Sequence, residues 1–269
     1  MINQHQFQQS ARHFRSGRIS LSEFQSRVFA GTEAKPHETK STEKGTPSAA
    51  VEAVAAAVKP NLDTADRCGW SEVICGQGKS TEALVAALSQ LKSAGQPAMI
   101  TRLSDATGNE LAKQITEGNF NSESKTFTCG THAQKKTFGG DIAVIAAGPS
   151  DLPVLEETCS TIRWMGANAI NIDVGSEGVD GLTPHLETLK AASAIVVVAG
   201  TEKALPGVVA NHAGCPVFVV PTSAGFESNQ DGIASLLAML NNCPANVAWV
   251  NIDAGFKAGY LAAMVAANG

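Results

Sequence analysis

A chain of 269 residues, 43% hydrophobic and 17% charged, has the length and apolar content for one large packed domain or two small ones, and its low charge suggests extensive subunit contacts. A formal net charge of −5 gives no electrostatic reason to bind nucleic acid, and no apolar run approaches the roughly 20 residues that span a bilayer. The six cysteines (68, 75, 129, 159, 215 and 243) lack CxxC spacing, against a metal cluster or a disulfide framework, and the polar amino terminus shows no signal peptide; the expectation is a cytoplasmic chain with reduced thiols.

In chain order, residues 1–30 predict a helical segment, with Phe14, Ile19, Leu21, Phe24 and Val28 at three- and four-residue spacings. Residues 31–60 predict a flexible linker, since Gly31 to Pro47 holds no apolar residue larger than alanine. Residues 61–140 predict a small α/β domain: strands at Glu72–Cys75, Ala98–Leu103 and Lys125–Cys129, and helices at Thr81–Leu91 and Asn109–Ile115. The GQGKS turn after the first strand lacks the Walker glycine, because that position is Val73; it reads as a glycine turn into a helix. Thr131 to Gly140 is a polar connector and a plausible boundary.

Residues 141–269 alternate strand and helix, which predicts a three-layer α/β/α sandwich with a mostly parallel sheet. Strands are expected near Ile142, Ile170, Ile195, Val217 and Val247. The pattern is plainest from Ile195 to Ser223, where two runs too apolar for a half-wet sheet flank a short helix that carries Pro206 in its first turn. In such a sheet ligands sit beyond the carboxyl ends of the strands. The polar residues Thr201, Glu202, Lys203, Thr222 and Ser223 fall there. So does the turn Gly148-Pro149-Ser150-Asp151, which reads equally as a phosphate cradle or as a helix N-cap. Asp173, ending its strand before Gly175, would position substrate or cap the turn. The closing helix, Ala258 to Ala267, is apolar nearly all round, so a neighbouring subunit is the expected cover.

Taken in order, AGPSDLPVLEET, DVGSEG, VVVAGTEKALPGVVA, CPVFVVPTS and LLAMLNNCPANVAWVNIDAGFKAGYLA resemble the LarB family of pyridinium-3,5-biscarboxylic acid mononucleotide synthases, enzymes of nickel-pincer cofactor synthesis with a PurE-like domain. RSGRISLSEF, RCGWSEVICGQGKS and MITRLS are similar to the family's amino-terminal part. The resemblance implies carboxylation of the pyridinium ring of nicotinic acid adenine dinucleotide by CO2 or bicarbonate, with release of AMP. It implies no tightly bound cofactor, leaves open whether Mg2+ assists phosphoanhydride cleavage, and implies a homo-oligomer, an octamer by similarity. By family position Cys243 is the nucleophile and Glu202, in AGTEKALP, the base; Asn251 joins Gly148–Asp151, Asp173, Gly175, Gly200, Thr201, Pro206, Thr222 and Ser223 as substrate-binding positions. The loops carrying cradle, base and nucleophile are expected to converge on one crevice.

The chain departs from the family at two places. Gly178-Val179-Asp180-Gly181 stands where Gly-Leu-His-Arg is usual, and Ser223 to Glu227 where a glycine-rich S-V-G-Y-G is usual. Losing the His-Arg pair removes a cation for which Lys203 or Lys257 would have to compensate. Two alternatives stand beside the LarB reading. One is a PurE-type aminoimidazole ribonucleotide carboxylase or mutase, whose Ser-Ala-His-Arg histidine is missing from DVGSEG; the other is a catalytically silent nucleotide-binding module.

Overall fold

In the computed structural model, described for residues 58–132, 137–224, 232–241 and 244–268, the apolar run that begins at Ile195 becomes the central strand of a parallel sheet. Five strands, β5 (Ile142–Ala146), β6 (Ala169–Asp173), β7 (Ala194–Ala199), β8 (Val217–Pro221) and β9 (Val247–Trp249), lie in the order β6-β5-β7-β8-β9, every pair parallel. Alternate residues of β7 enter different cores. Val196 and Val198 join one, while Ile195, Val197 and Ala199 join the other, so both faces of the sheet are covered.

The first face is covered by α4 (Leu152–Trp164), through Leu155, Cys159 and Ile162, and by α8 (Gly255–Ala266). The second carries Leu189 of α5 (Leu186–Ala191), Leu205 and Val209 of α6 (Leu205–His212), and Met239 of α7 (Ile233–Leu240). This is the three-layer sandwich expected from sequence, with every strand where the apolar runs placed it. Between β6 and β7, Asp180–His185 forms a 3-10 turn containing Pro184 before α5 begins.

One side of the closing helix is covered from within the chain. Helix α8 lies against α4 and the sheet, burying Ala258, Ala262, Ala263 and Ala266. A Cβ on Gly255 would meet the Val154 carbonyl at 2.4 Å, and one on Gly259 the Thr158 carbonyl at 2.7 Å. Small residues thus bring the two helices close on this side, while Leu261, Met264 and Val265 are only half-buried.

A four-stranded sheet precedes this one, in the order β1-β2-β4-β3. Strands β1 (Val73–Cys75) and β2 (Ala98–Thr101) are parallel; β3 (Gly118–Asn121) and β4 (Thr126–Cys129) form an antiparallel hairpin. Leu84, Leu88 and Leu91 of α2 (Thr81–Ser93) and Leu111 of α3 (Asp105–Gln114) pack on Ile100 and Phe127. A short helix, α1 (Thr64–Cys68), leads into Trp70. Trp70 and Met99 belong to the large sheet's core rather than their own, and the Trp70 indole donates to the Met165 carbonyl at 3.0 Å. His132, at the start of the polar connector, is buried against Trp164 with ring centroids 4.8 Å apart. Both sheets sit in one compact unit spanning Pro47–Gly269. The helical segment expected over residues 1–30, and all but the last three residues of the linker, lie outside the described residues.

Candidate active site

The carboxyl ends of β5, β7 and β8 are bound together by one buried carboxylate. Asp151 is 4% exposed; it accepts a 2.6 Å hydrogen bond from the Thr222 hydroxyl and another from the backbone N–H of Gly200. Burial raises its pKa above the ordinary 3.8, the two hydrogen bonds oppose the rise, and the carboxylates of Asp253 and Asp173 add to it. Asp151 occupies the N-cap position of α4 yet makes no side-chain cap hydrogen bond. The capping alternative for the GPSD turn therefore does not describe Asp151.

Gly200 is fixed on every side. Its carbonyl accepts from Ser235 Oγ at 2.6 Å, and a Cβ there would lie 2.3 Å from Thr222 Oγ1. Gly148 is the opposite case: nothing lies within 4 Å of where its Cβ would be. With Pro149 and Ser150 exposed beside it, this open backbone leaves the cradle accessible from solvent, ahead of the amino end of α4.

Glu202 is half-buried, and its carboxylate accepts no hydrogen bond among the described residues. Its Oε2 lies 3.2 Å from where a Gly178 Cβ would be, beside the turn after β6. Asp173 is spent on that turn, accepting from the Gly175 N–H at 2.9 Å. Thr201 and Ser223 are exposed, and Pro206 is buried in the first turn of α6. Asn251 accepts from Lys257 Nζ at 2.8 Å, which ties down one of the two lysines expected to replace the missing arginine.

The departure at Gly181 has a packing cause. A Cβ there would stand 2.8 Å from the Val174 carbonyl, so the 3-10 turn lies closer to β6 than an arginine would permit.

Cys243 lies outside the described residues. Its neighbours downstream do not belong to the carboxyl-end crevice. Asn246 donates through Nδ2 to the Ala210, Ala213 and Cys215 carbonyls, and its own carbonyl accepts from the Val217 N–H. Those atoms mark the amino end of the sheet, about 17 Å of strand from Thr222. The segment that resumes at Pro244 thus enters β9 from the end of the sheet opposite Glu202. Three other thiols are poor nucleophiles: burial pushes Cys159 up to about 12 and raises Cys129 and Cys215 above the ordinary range.

Two carboxylates emerge that the sequence reading did not mark. Asp253 Oδ1 accepts from the Ser223 N–H at 2.8 Å, while its own N–H donates to the Pro221 carbonyl at 2.9 Å. Glu157, buried on α4, accepts from the first backbone N–H groups of α8, those of Phe256 and Gly255, and burial raises its pKa above the ordinary 4.5. Asp253 was legible by the rule that found the others, since it follows a parallel strand at its carboxyl end. Glu157 carried no signal beyond being an acid on the inner face of a helix.

The GQGKS turn is no phosphate loop. Lys79 Nζ donates to the Cys75 carbonyl at 2.7 Å, and Ser80 caps α2 by accepting from the Ala83 N–H.

Residues 141–269 match the AIR carboxylase family, and residues 51–131 match the LarB/PurE-like N-terminal domain. An uncharacterized protein of Methanocaldococcus jannaschii is 34% identical over 219 residues, covering 78% of this chain and 84% of its own length. The N5-carboxyaminoimidazole ribonucleotide mutase of the same organism is 30% identical over 122 residues, 45% of this chain and 75% of that enzyme. The mutase of Brucella melitensis is 28% identical over 130 residues, 47% of this chain and 80% of that enzyme. A PurE-like carboxylase and mutase domain behind this particular amino-terminal domain is the LarB architecture, and the chain belongs to the LarB family.

Proposed function

We propose that this protein carboxylates the pyridinium ring of nicotinic acid adenine dinucleotide with CO2 or bicarbonate and hydrolyses the phosphoanhydride to release AMP, a step of nickel-pincer cofactor synthesis. The pairing of domains carries the reading. The two mutases align with 45% and 47% of the chain, whereas a further domain at 51–131 is locked into the same core by Trp70. The segment Asp173 to Gly181 also has no histidine, the residue that a PurE-type aminoimidazole enzyme would need there.

In this proposal the ring is activated by sulfur. A pyridinium ring is too electron-poor to attack CO2. Addition of the Cys243 thiolate ortho or para to the ring nitrogen converts it to an enamine whose meta carbon is nucleophilic. That carbon attacks CO2, Glu202 removes the ring proton, and expulsion of the thiolate restores the aromatic pyridinium. The Gly148–Asp151 turn holds a phosphate meanwhile, and Asp151, Thr222 and Gly200 keep the crevice in shape. Water then cleaves the phosphoanhydride to AMP and the mononucleotide.

The thiolate comes from a second copy of the chain. Asn246 holds the entrance to β9 at the end of the sheet remote from Glu202, which favours a site that draws Cys243 and Glu202 from two copies. Helix α7, which leads toward Cys243, exposes Ile233, Leu237 and Leu240 on one face, at 47%, 58% and 47%. An apolar stripe of this kind suits a subunit contact in a homo-oligomer, an octamer by family resemblance. Mass spectrometry of the products formed from nicotinic acid adenine dinucleotide and bicarbonate tests the reaction.

A further inference from the structure

Among the described residues, three that are not glycine have backbones in the left-handed region: Arg102 (φ 56°), Lys125 (φ 54°) and Asp253 (φ 53°). All three line one cleft of about 480 Å³ between the amino-terminal sheet and the PurE-like domain. Each of the three conformations has a local cause. Lys125 closes the turn between β3 and β4, and its carbonyl accepts from the Leu103 N–H. Asp253 is clipped to Pro221 and Ser223. Arg102 is held by its neighbours, the Thr101 carbonyl accepting from the Gly76 N–H at 2.7 Å and the Leu103 N–H donating to the Lys125 carbonyl, while its side chain donates no hydrogen bond among the described residues.

The topology marks the same cleft. Gln77 follows β1 and Arg102 follows β2, while Ile252 and Asp253 lie beyond β9 and Pro153 opens α4 beyond β5. Both sheets therefore present the carboxyl ends of parallel strands to one space, where open α/β sheets hold ligands. Its volume falls in the roughly 300–1,000 Å³ range of small-molecule sites. It adjoins the crevice through Asp253, which braces Ser223, and through Pro153, which follows the cradle.

The charges in the cleft single out Arg102. Lys125 is neutralised by both oxygens of Asp105, at 2.7 and 2.8 Å. Glu157 is committed to the amino end of α8 and Asp253 to the Ser223 N–H, while Glu123 is exposed. The Arg102 guanidinium, which feels Glu157 only at longer range, keeps its planar fork of donors available for an anion.

We propose that this cleft receives the nucleoside-monophosphate half of the dinucleotide, with Arg102 on its phosphate. The assignment rests on the substrate proposed above and extends it from the ring to the leaving group. Equilibrium dialysis of the full-length protein with AMP and with adenosine is the test. AMP should bind, adenosine should bind at least about tenfold more weakly, and Arg102→Ala should weaken AMP binding by roughly tenfold or more. Arg102→Gly should lose the same affinity and melt at a higher temperature, because glycine adopts the left-handed backbone freely. Arg163→Ala, an exposed arginine on α4, should bind AMP as the parent does. Absence of AMP binding to the parent, or affinity unchanged in both Arg102 variants, overturns the assignment. Arg102-dependent AMP binding in a protein that does not carboxylate the ring would retire the reaction and keep the cleft; carboxylation with Arg102-independent binding of AMP would do the reverse.

Discussion

The Thr222 hydroxyl reaches the buried Asp151 carboxylate at 2.6 Å, joining the ends of β5 and β8 across the intervening β7. Burial holds Asp151 above its ordinary value of 3.8, so the folded protein keeps this proton longer than the unfolded chain. The contribution to stability is full below the unfolded pKa and is lost as pH rises through the folded value. Thr222→Val removes one of the donors that oppose the rise. It should cost about 1–3 kcal/mol at pH 7, and less in acid where the carboxyl is protonated. Urea melts at pH 7 and pH 4 check this; an equal loss at both would mean that Thr222 acts by packing alone.

Gly200 leaves no room for a side chain, with a Cβ only 2.3 Å from Thr222 Oγ1. Gly200→Ala should displace Thr222 from Asp151, cost about 1–3 kcal/mol and abolish turnover. Gly148→Ala meets nothing within 4 Å and should leave the melting temperature unchanged. If the open backbone there serves a phosphate, the same variant raises KM.

Trp70 anchors the amino-terminal sheet in the core of the other. Trp70→Ala should destabilise by about 3–5 kcal/mol. Loss confined to the amino-terminal sheet, seen as hydrogen exchange rising there while the five-stranded sheet stays protected, would show that the two sheets do not share cooperative stability.

If the site is shared between copies, Cys243→Ser and Glu202→Gln oligomers, each impaired alone, should regain activity when unfolded and refolded together. Random mixing would restore both groups at about a quarter of the sites. No rescue in mixed oligomers of normal size would place nucleophile and base on one chain. Leu237→Glu, on the exposed stripe of α7, should reduce the molar mass seen by light scattering.

Most of the five-stranded sheet was legible because parallel strands buried on both faces need unbroken apolar runs, and IVVV and VFVV can be little else. Strand β3 was not, since Gly118-Asn119-Phe120-Asn121 offers a single apolar residue and owes its place to pairing with β4. The cradle, Gly200 and Glu202 followed from the rule that ligands gather at carboxyl strand ends. That same rule, applied strictly, puts a loop that enters a parallel strand at the other end, and Asn246 shows this for the approach to β9. Asp151 read as a cradle residue or a cap, not as a tie between strands, because its partners, 49 and 71 residues downstream, meet it only in the folded sheet.

The central claim is ring carboxylation. The most direct measurement is incubation with nicotinic acid adenine dinucleotide and isotopically labelled bicarbonate, followed by mass spectrometry. The account predicts AMP together with a pyridinium mononucleotide that carries one additional, labelled carboxyl group, and neither product from Cys243→Ser. A ring returned without label by an intact oligomer, or label incorporated equally by Cys243→Ser, would contradict it.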